Sequence, residues 1–378
     1  MKIIIAFLIT YVLYIIQKKI LLRNWHKNLE VNVNFLEAHV SEGEQTRLVE
    51  TIVNNKRLPI PFLNIKFTTS KYLLFDKEKN TAVTDYFYRH DIYTIGSYEK
   101  ITRLYPFICS RRGAYTISFI DVLSMDLFFS EIDHIPANSN TILFVKPKIL
   151  PVKELPLELV NAIKTVILHV RTLEDPFEFK GIREYQPYDN IRYINWKVTA
   201  KLGNLQVNTH FSTTSRQVNI FLDLETQVIA HEETMKEACI QLAYTIASMF
   251  SEQGIPFQLT SNGIDKFTKE RVNMASGCGS QHLTQLGIAL SRIDVTKACP
   301  DVKPILSDFV KKESTNQQLI LISNNRKPEL VKLYEEELCP KANCLYALPE
   351  FSDVKLGELH VTNLYVWEVD YSDTIQAF

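Results

Sequence analysis

Glycine is scarce in this chain, at 11 of 378 residues. No Gly-rich loop suited to cradling phosphate is present, and neither G-x-S-x-G nor H-E-x-x-H occurs. Those absences remove the usual signatures of phosphoryl transfer, of a serine nucleophile elbow and of a zinc peptidase. The six cysteines, at positions 109, 239, 278, 299, 339 and 344, form no C-x-x-C pair and no Cys/His zinc spacing. They read as buried reduced thiols, which suits a reducing compartment. Neither sign of charge is in excess: 42 basic against 43 acidic side chains leave a net charge of −1, and no global electrostatic case for nucleic acid. Internal repeats and low-complexity linkers are lacking too. With 46% hydrophobic and 22% charged residues, the chain can bury sizeable cores, and its length suits two or three domains.

Long apolar runs are absent except at the start. Ile3 to Ile16 carries no charge, and Lys18, Lys19, Arg23 and Lys27 follow. Fourteen residues fall short of the roughly 20 that span a bilayer, but lysine snorkelling extends the reach. A cleaved signal peptide would want a basic start and a small-residue cleavage site, and only Lys2 precedes the run. Residues 1–25 therefore read as an uncleaved single-pass anchor in the cell membrane. The charge behind it places the bulk of the chain in the cytoplasm by the positive-inside rule.

Residues 29–152 read as an all-β, sandwich-like domain. Val31, Val33 and Phe35 alternate with polar residues, as do the residues from Thr46 to Val53, and Asn54-Asn55 and Arg111-Arg112-Gly113 are turn signals. In 153–216, a helix over Leu157 to Leu173 leads into an unusual segment. From Val218, apolar strands (218–222, 257–260, 319–323, 345–348, 364–369) alternate with helices (232–252, 281–292, 328–338). That order predicts an α/β domain over 217–378, a mostly parallel sheet covered on both faces.

The unusual segment, Phe179 to Trp196, reads FKGIREYQPYDNIRYINW. Gly181 permits an unusual backbone angle, and Asp189 follows Tyr188 in a turn where it can bond backbone amides. Arg183 and Arg192 are forked donors able to grip carboxylates such as Glu184 or Asp189. Trp196 adds a large aromatic anchor, and Tyr185, Tyr188 and Tyr193 are interleaved with these residues. Two readings stand. One is a recognition loop for an anionic group or acidic partner; the other is an ion-paired, aromatic-clamped loop joining two domains. A hydrolase using Glu184 and Asp189 as an acid–base pair is a third use of the same residues.

The longer run from Phe179 to Val207 resembles the signature of the bacterial DUF58 family, whose domains are uncharacterised. The match rests on Phe179, Gly181, Arg183, Glu184, Tyr185, Asp189, Arg192, Ile194, Trp196, Ala200, Gly203, Leu205 and Val207. The chain departs at Tyr188, where the family prefers glycine, and at Lys201, where it prefers arginine. The resemblance implies that the α/β domain is von Willebrand factor A-like (Rossmann-like), preceded by the β domain and the membrane helix. Family members often carry two such helices; one is visible here. Members are commonly encoded beside MoxR-type AAA+ ATPases, which implies a non-enzymatic adaptor or co-chaperone with such a protein partner.

Von Willebrand factor A domains often hold magnesium through Asp-x-Ser-x-Ser after the first strand. Here the run is Asp223-Leu224-Glu225-Thr226-Gln227, with both serines replaced, and the later Ser-Asp reads Ser323-Asn324. No metal or other cofactor is therefore expected. Asp223 and Glu225 remain as candidates for magnesium in a metal-dependent binding module.

Overall fold

The computed structural model describes the chain outside residues 1, 76–80, 84–85, 126–131, 138, 140, 172–173, 187–190, 213–216, 227–230, 313–316, 353–358 and 370–378. It is mixed α/β and divides into two compact units, Met1–Lys148 and Ile149–Phe378.

The first unit opens with helix α1 (Lys2–Asn24) and continues as strands β1 (Leu29–Phe35), β2 (His39–Ser41), β3 (Gln45–Asn54), β4 (Ile60–Ser70), β5 (Leu73–Phe75), β6 (Thr81–Val83), β7 (Tyr86–Ile95), β8 (Lys100–Cys109), β9 (Gly113–Thr116), β10 (Ser118–Met125), β11 (Ile132–Ala137) and β12 (Ile142–Lys146). A four-stranded sheet, β1-β3-β8-β5, and a five-stranded sheet, β11-β10-β4-β7-β6, share one core, with a small β2-β12-β9 sheet beside them. Strict alternation along β3 turns Leu48 and Ile52 inward, and β4, β7 and β10 supply Ile65, Tyr93 and Val122 from the other sheet. The apolar alternation after Arg111-Arg112-Gly113 is divided between two strands, β9 and β10, which lie in different sheets. Alternation persists through Ile117, so the sequence pattern does not register the change of sheet.

Within α1, Ile3–Leu21 is long and apolar enough to cross a membrane. The helix does not end in a free linker. Leu21 and Trp25 are buried, Trp25 within the core of the β unit, and its indole Nε1 donates to Asp133 Oδ2 at 2.8 Å.

The second unit comprises α2 (Leu157–Arg171), β13 (Glu174–Glu184), α3 (Trp196–Leu202), β14 (Gln206–Ser212), β15 (Val218–Leu222), α4 (Glu232–Glu252), β16 (Phe257–Ile264), β17 (Arg271–Gly277), α5 (Gly279–Ser291), α6 (Lys303–Lys312), β18 (Gln317–Ile322), α7 (Pro328–Lys332), β19 (Ala342–Phe351) and β20 (Leu364–Val369). Its six-stranded sheet runs β17-β16-β15-β18-β19-β20. All neighbours are parallel except the edge pair β16–β17. Strand β15 is buried along its whole length, as a central parallel strand must be. Val218, Ile220 and Leu222 face a core built with α2, α4 and α5, whereas Phe221 faces a second core with α6 and α7. Helices thus cover both faces. The linking helix α2 contributes Leu159, Val160 and Ile163 to the first of these cores. Proline at the start of α7 is pre-organised for a helix, but the turn beyond it, Leu333–Leu338, widens to a π-helix. Strand β17 and helix α6 go beyond the elements that the sequence pattern predicts.

Candidate functional site

Two places carry the residues singled out by sequence. Much of the signature segment that the structure describes is regular. Strands β13 and β14 pair antiparallel, with Gly181 opposite Thr209 and Arg183 opposite Val207. A 3-10 turn, Ile191–Tyr193, and helix α3 lie between them. Helix α3 is bounded by local chemistry. Asn195 Oδ1 accepts from Val198 N at 3.1 Å, and Gly203 closes the helix in the left-handed region at φ 78°. Asn195 Nδ2 also donates to Asn208 Oδ1 at 2.7 Å, and Gln206 N to Thr199 Oγ1 at 3.0 Å, which binds α3 to β14. Asn195, Thr199 and Asn208 were missed by sequence reading, although an asparagine one residue before a short helix that ends in glycine is a legible cap signal.

The expected clamp takes a different form in the described residues. Arg183 Nη1 donates to the Glu184 backbone carbonyl at 3.1 Å, and Glu184 Oε1 accepts from Asn204 Nδ2 at 3.5 Å. Tyr185 N donates to Leu205 O at 2.9 Å. Asp189 and Tyr188 lie outside the described residues. Trp196 is not a buried anchor: it is 64% exposed at the first position of α3. Phe179, Ile191 and Leu202 of the same segment are also exposed, as are Arg183, Arg192, Lys197 and Lys201. Among the described residues of 179–208, only Ile194 and Val207 are buried. Glu184 is itself exposed.

The second place is the carboxyl edge of the sheet, where β15, β16 and β18 end side by side. Asp223 is fully buried there. Its Oδ1 accepts from Glu225 N at 2.9 Å and Asn262 Nδ2 at 2.7 Å, and its Oδ2 accepts from Ser323 Oγ at 2.8 Å. Burial pushes its carboxyl up to about 6, and these three hydrogen bonds pull the other way. Glu225 is held by Asn325 Nδ2 at 2.9 Å and by the Lys327 ammonium. Asn324 accepts from Thr226 Oγ1 at 3.2 Å and donates to Pro349 O at 2.6 Å.

This donor set does not fit magnesium. A magnesium ion asks for a near-octahedral set of oxygen lone pairs. Here both Asp223 oxygens receive N–H or O–H donors, and both Glu225 oxygens receive nitrogen donors. Lys327 supplies the positive charge that a cation would bring. Among the described residues no group of three or more His, Cys, Asp or Glu side chains comes together as a metal site. Calorimetric titration of the protein with magnesium is accordingly expected to be flat; a saturable heat at micromolar ion would contradict the assignment of these carboxylates to internal partners.

Residues 181–327 match the family model described as a protein of unknown function, DUF58, which supports that family for this chain. No curated protein matches. Solved structures similar to parts of the chain include the CARDB domain of a Pyrococcus furiosus protein (10% identity, 31% of this chain and 93% of that one, TM-score 0.19). A cohesin–dockerin complex from Clostridium thermocellum is similar at 6% identity over 32% of this chain and 99% of that one, with a TM-score of 0.21. A β-glucosidase from Listeria innocua is similar at 9% identity, 29% of this chain and 16% of that one, with a TM-score of 0.17. At such scores these likenesses say nothing of architecture or activity.

Proposed function

We propose that the chain is a membrane-anchored, non-enzymatic interaction module. Its α/β unit, von Willebrand factor A-like, presents the signature as a docking surface for a protein partner, in the first place a MoxR-type AAA+ ATPase. The observation that carries this reading is the exposure of Trp196 and its neighbours. A segment with two buried residues has almost no core of its own. Exposed tryptophan and arginine are the side chains that contribute most when an interface closes over them. The carboxyl edge supports the non-enzymatic half of the reading, because its carboxylates are spent on internal donors. The ATPase partner rests on the family resemblance.

Trp196→Ala is the direct test. Cross-linking and pull-down from native membranes is expected to capture an ATPase with the wild-type chain, in chelator as well as in magnesium. The variant is expected to lose that capture while keeping its melting temperature, since an exposed side chain contributes little to stability. Equal capture by both proteins would remove the signature as the docking surface. Capture abolished by chelator would point back to Asp223 and Glu225 as a metal-dependent binding site.

A further inference from the structure

The first unit holds a second surface, at the point where α1 enters it. The helix runs straight into the β unit through Leu21 and Trp25, so the unit cannot drift from the end of its own anchor. A unit packed against the end of a membrane-crossing helix is held at the level of the headgroups. What the unit presents there is set by hydrogen bonds. Asn55 N donates to Asn28 O at 2.9 Å in the turn after the helix, and Tyr98 N donates to Lys56 O at 3.2 Å. Ser97 Oγ donates to Arg57 O at 2.5 Å.

These bonds set residues 55–57 and 97–98 beside the turn that follows the helix, and the segments so joined carry Arg23, Lys27, Lys56, Arg57 and Lys100. Of these, Arg23, Lys27, Arg57 and Lys100 are exposed, whereas Lys56 Nζ is buried. Tyr98 stands 68% exposed with φ at 55°, in the left-handed region that a bulky residue avoids unless its surroundings impose it. The nearby acids are fewer. Glu99 accepts from Gly96 N at 2.5 Å, Asp133 is taken by Trp25, and Glu30 is exposed. Clustered lysine and arginine with an exposed tyrosine is the chemistry of a membrane interface: cations for phosphate, and an amphipathic ring for the headgroup layer.

We infer that this rim of the β unit is a docking surface for anionic phospholipid headgroups of the membrane that α1 enters. The inference rests on the anchor reading of α1. The exposed cations of Arg23, Lys27, Arg57 and Lys100 are the groups that meet lipid phosphate. Tyr98 is held outward to sit among the headgroups.

The test uses the full chain in vesicles of phosphatidylcholine alone or mixed with phosphatidylglycerol, with lipids brominated near the headgroup end of the acyl chain. Tyr98→Trp adds a reporter, read against the wild-type emission of the three native tryptophans. Its added emission is expected to be quenched by brominated lipid, more so in the anionic vesicles. Lys27→Glu with Arg57→Glu, both at exposed positions and placed in the Tyr98→Trp background, is expected to lose that anionic increment with an unchanged melting temperature. Both proteins are expected to stay with the vesicles in alkaline carbonate. A chain retained in carbonate whose added emission ignores brominated lipid, or responds equally in neutral and anionic vesicles, overturns the docking surface and leaves the anchor standing. Extraction by carbonate overturns the anchor reading and the docking surface with it.

Discussion

Arg89→Met is expected to destabilise the β unit by about 3–5 kcal/mol at neutral pH, the usual cost of leaving a buried charge without its partner. Arg89 is 3% exposed and lies between the two sheets. Its Nε meets Asp91 Oδ2 at 2.6 Å, and its guanidinium sits 3.8 Å from the centre of the Tyr105 ring. Tyr105 from β8 donates to Glu50 Oε2 on β3 at 2.7 Å and to Asp91 Oδ2 at 3.1 Å, and Tyr93 from β7 also donates to Glu50. Two carboxylates therefore gather about a buried guanidinium, and Glu50 Oε1 has no hydrogen-bond partner among the described residues. Burial raises the Glu50 carboxyl above its usual range, against the hydrogen bonds from Tyr93 and Tyr105 that lower it.

The sign of the pH effect follows from that direction. An acid whose folded pKa is raised contributes fully below its unfolded value, here near 4.5, and its contribution is lost as pH rises through the folded value. Removing Arg89 deepens that loss. Denaturant melts should thus show the variant far from wild type at pH 7 and closer to it in acid, where Glu50 keeps its proton. A variant equally destabilised at both pH values would mean that Arg89 acts by packing rather than charge.

At the carboxyl edge, Asp223→Asn is expected to stabilise the α/β unit at pH 7, and Asp223→Ala to destabilise it. Raised from 3.8 to about 6, Asp223 contributes fully below pH 3.8 and loses its contribution between those two values. The loss amounts to about 3 kcal/mol, at roughly 1.4 kcal/mol for each tenfold change in proton affinity. Asparagine keeps the shape without the charge. Its Oδ1 can accept from Glu225 N and Asn262, and its Nδ2 can donate to Ser323 Oγ. Alanine instead strands two buried donors, Asn262 Nδ2 and Ser323 Oγ, and the part-buried Glu225 N, each buried one at a cost of about 1–3 kcal/mol. Thermal melts from pH 4 to pH 7 on the three proteins check this: the wild type should lose stability across that range by an increment that the asparagine variant lacks. Asparagine melting below wild type at pH 7 would show the charge to be compensated by something beyond these three donors.

Elements whose own residues carry their cause were legible in the sequence. Helix α4 begins at Glu232 and ends at Glu252 as the amphipathic spacing requires, and β15 could be read from its mostly apolar run of five residues, all of them buried. The uncharged run before Lys18 marks α1. Asp223 at the end of β15 was visible as a strand-end carboxylate, and the signature as a dense local pattern.

What surrounds those residues was not legible, because it comes from far along the chain. Asn262 is 39 positions from Asp223, Ser323 is 100 from it, and Lys327 is 102 from Glu225. Nothing in the spacing of Asp223-Leu224-Glu225 says that an ammonium rather than a metal answers the carboxylates. Likewise, a tryptophan in a motif suggests an anchor in a core, and only the position of α3 on a two-stranded sheet with little beneath it leaves Trp196 exposed. Periodicity and neighbours a few residues away are enough to set most of the order of strands and helices, the apolar helix at the start and the residue types at each strand end. Which carboxylates are spent on internal partners, which aromatic is exposed and which cations gather at the foot of α1 depends on the folded chain. Burial and hydrogen-bond partnership are set there by contacts between segments tens of residues apart.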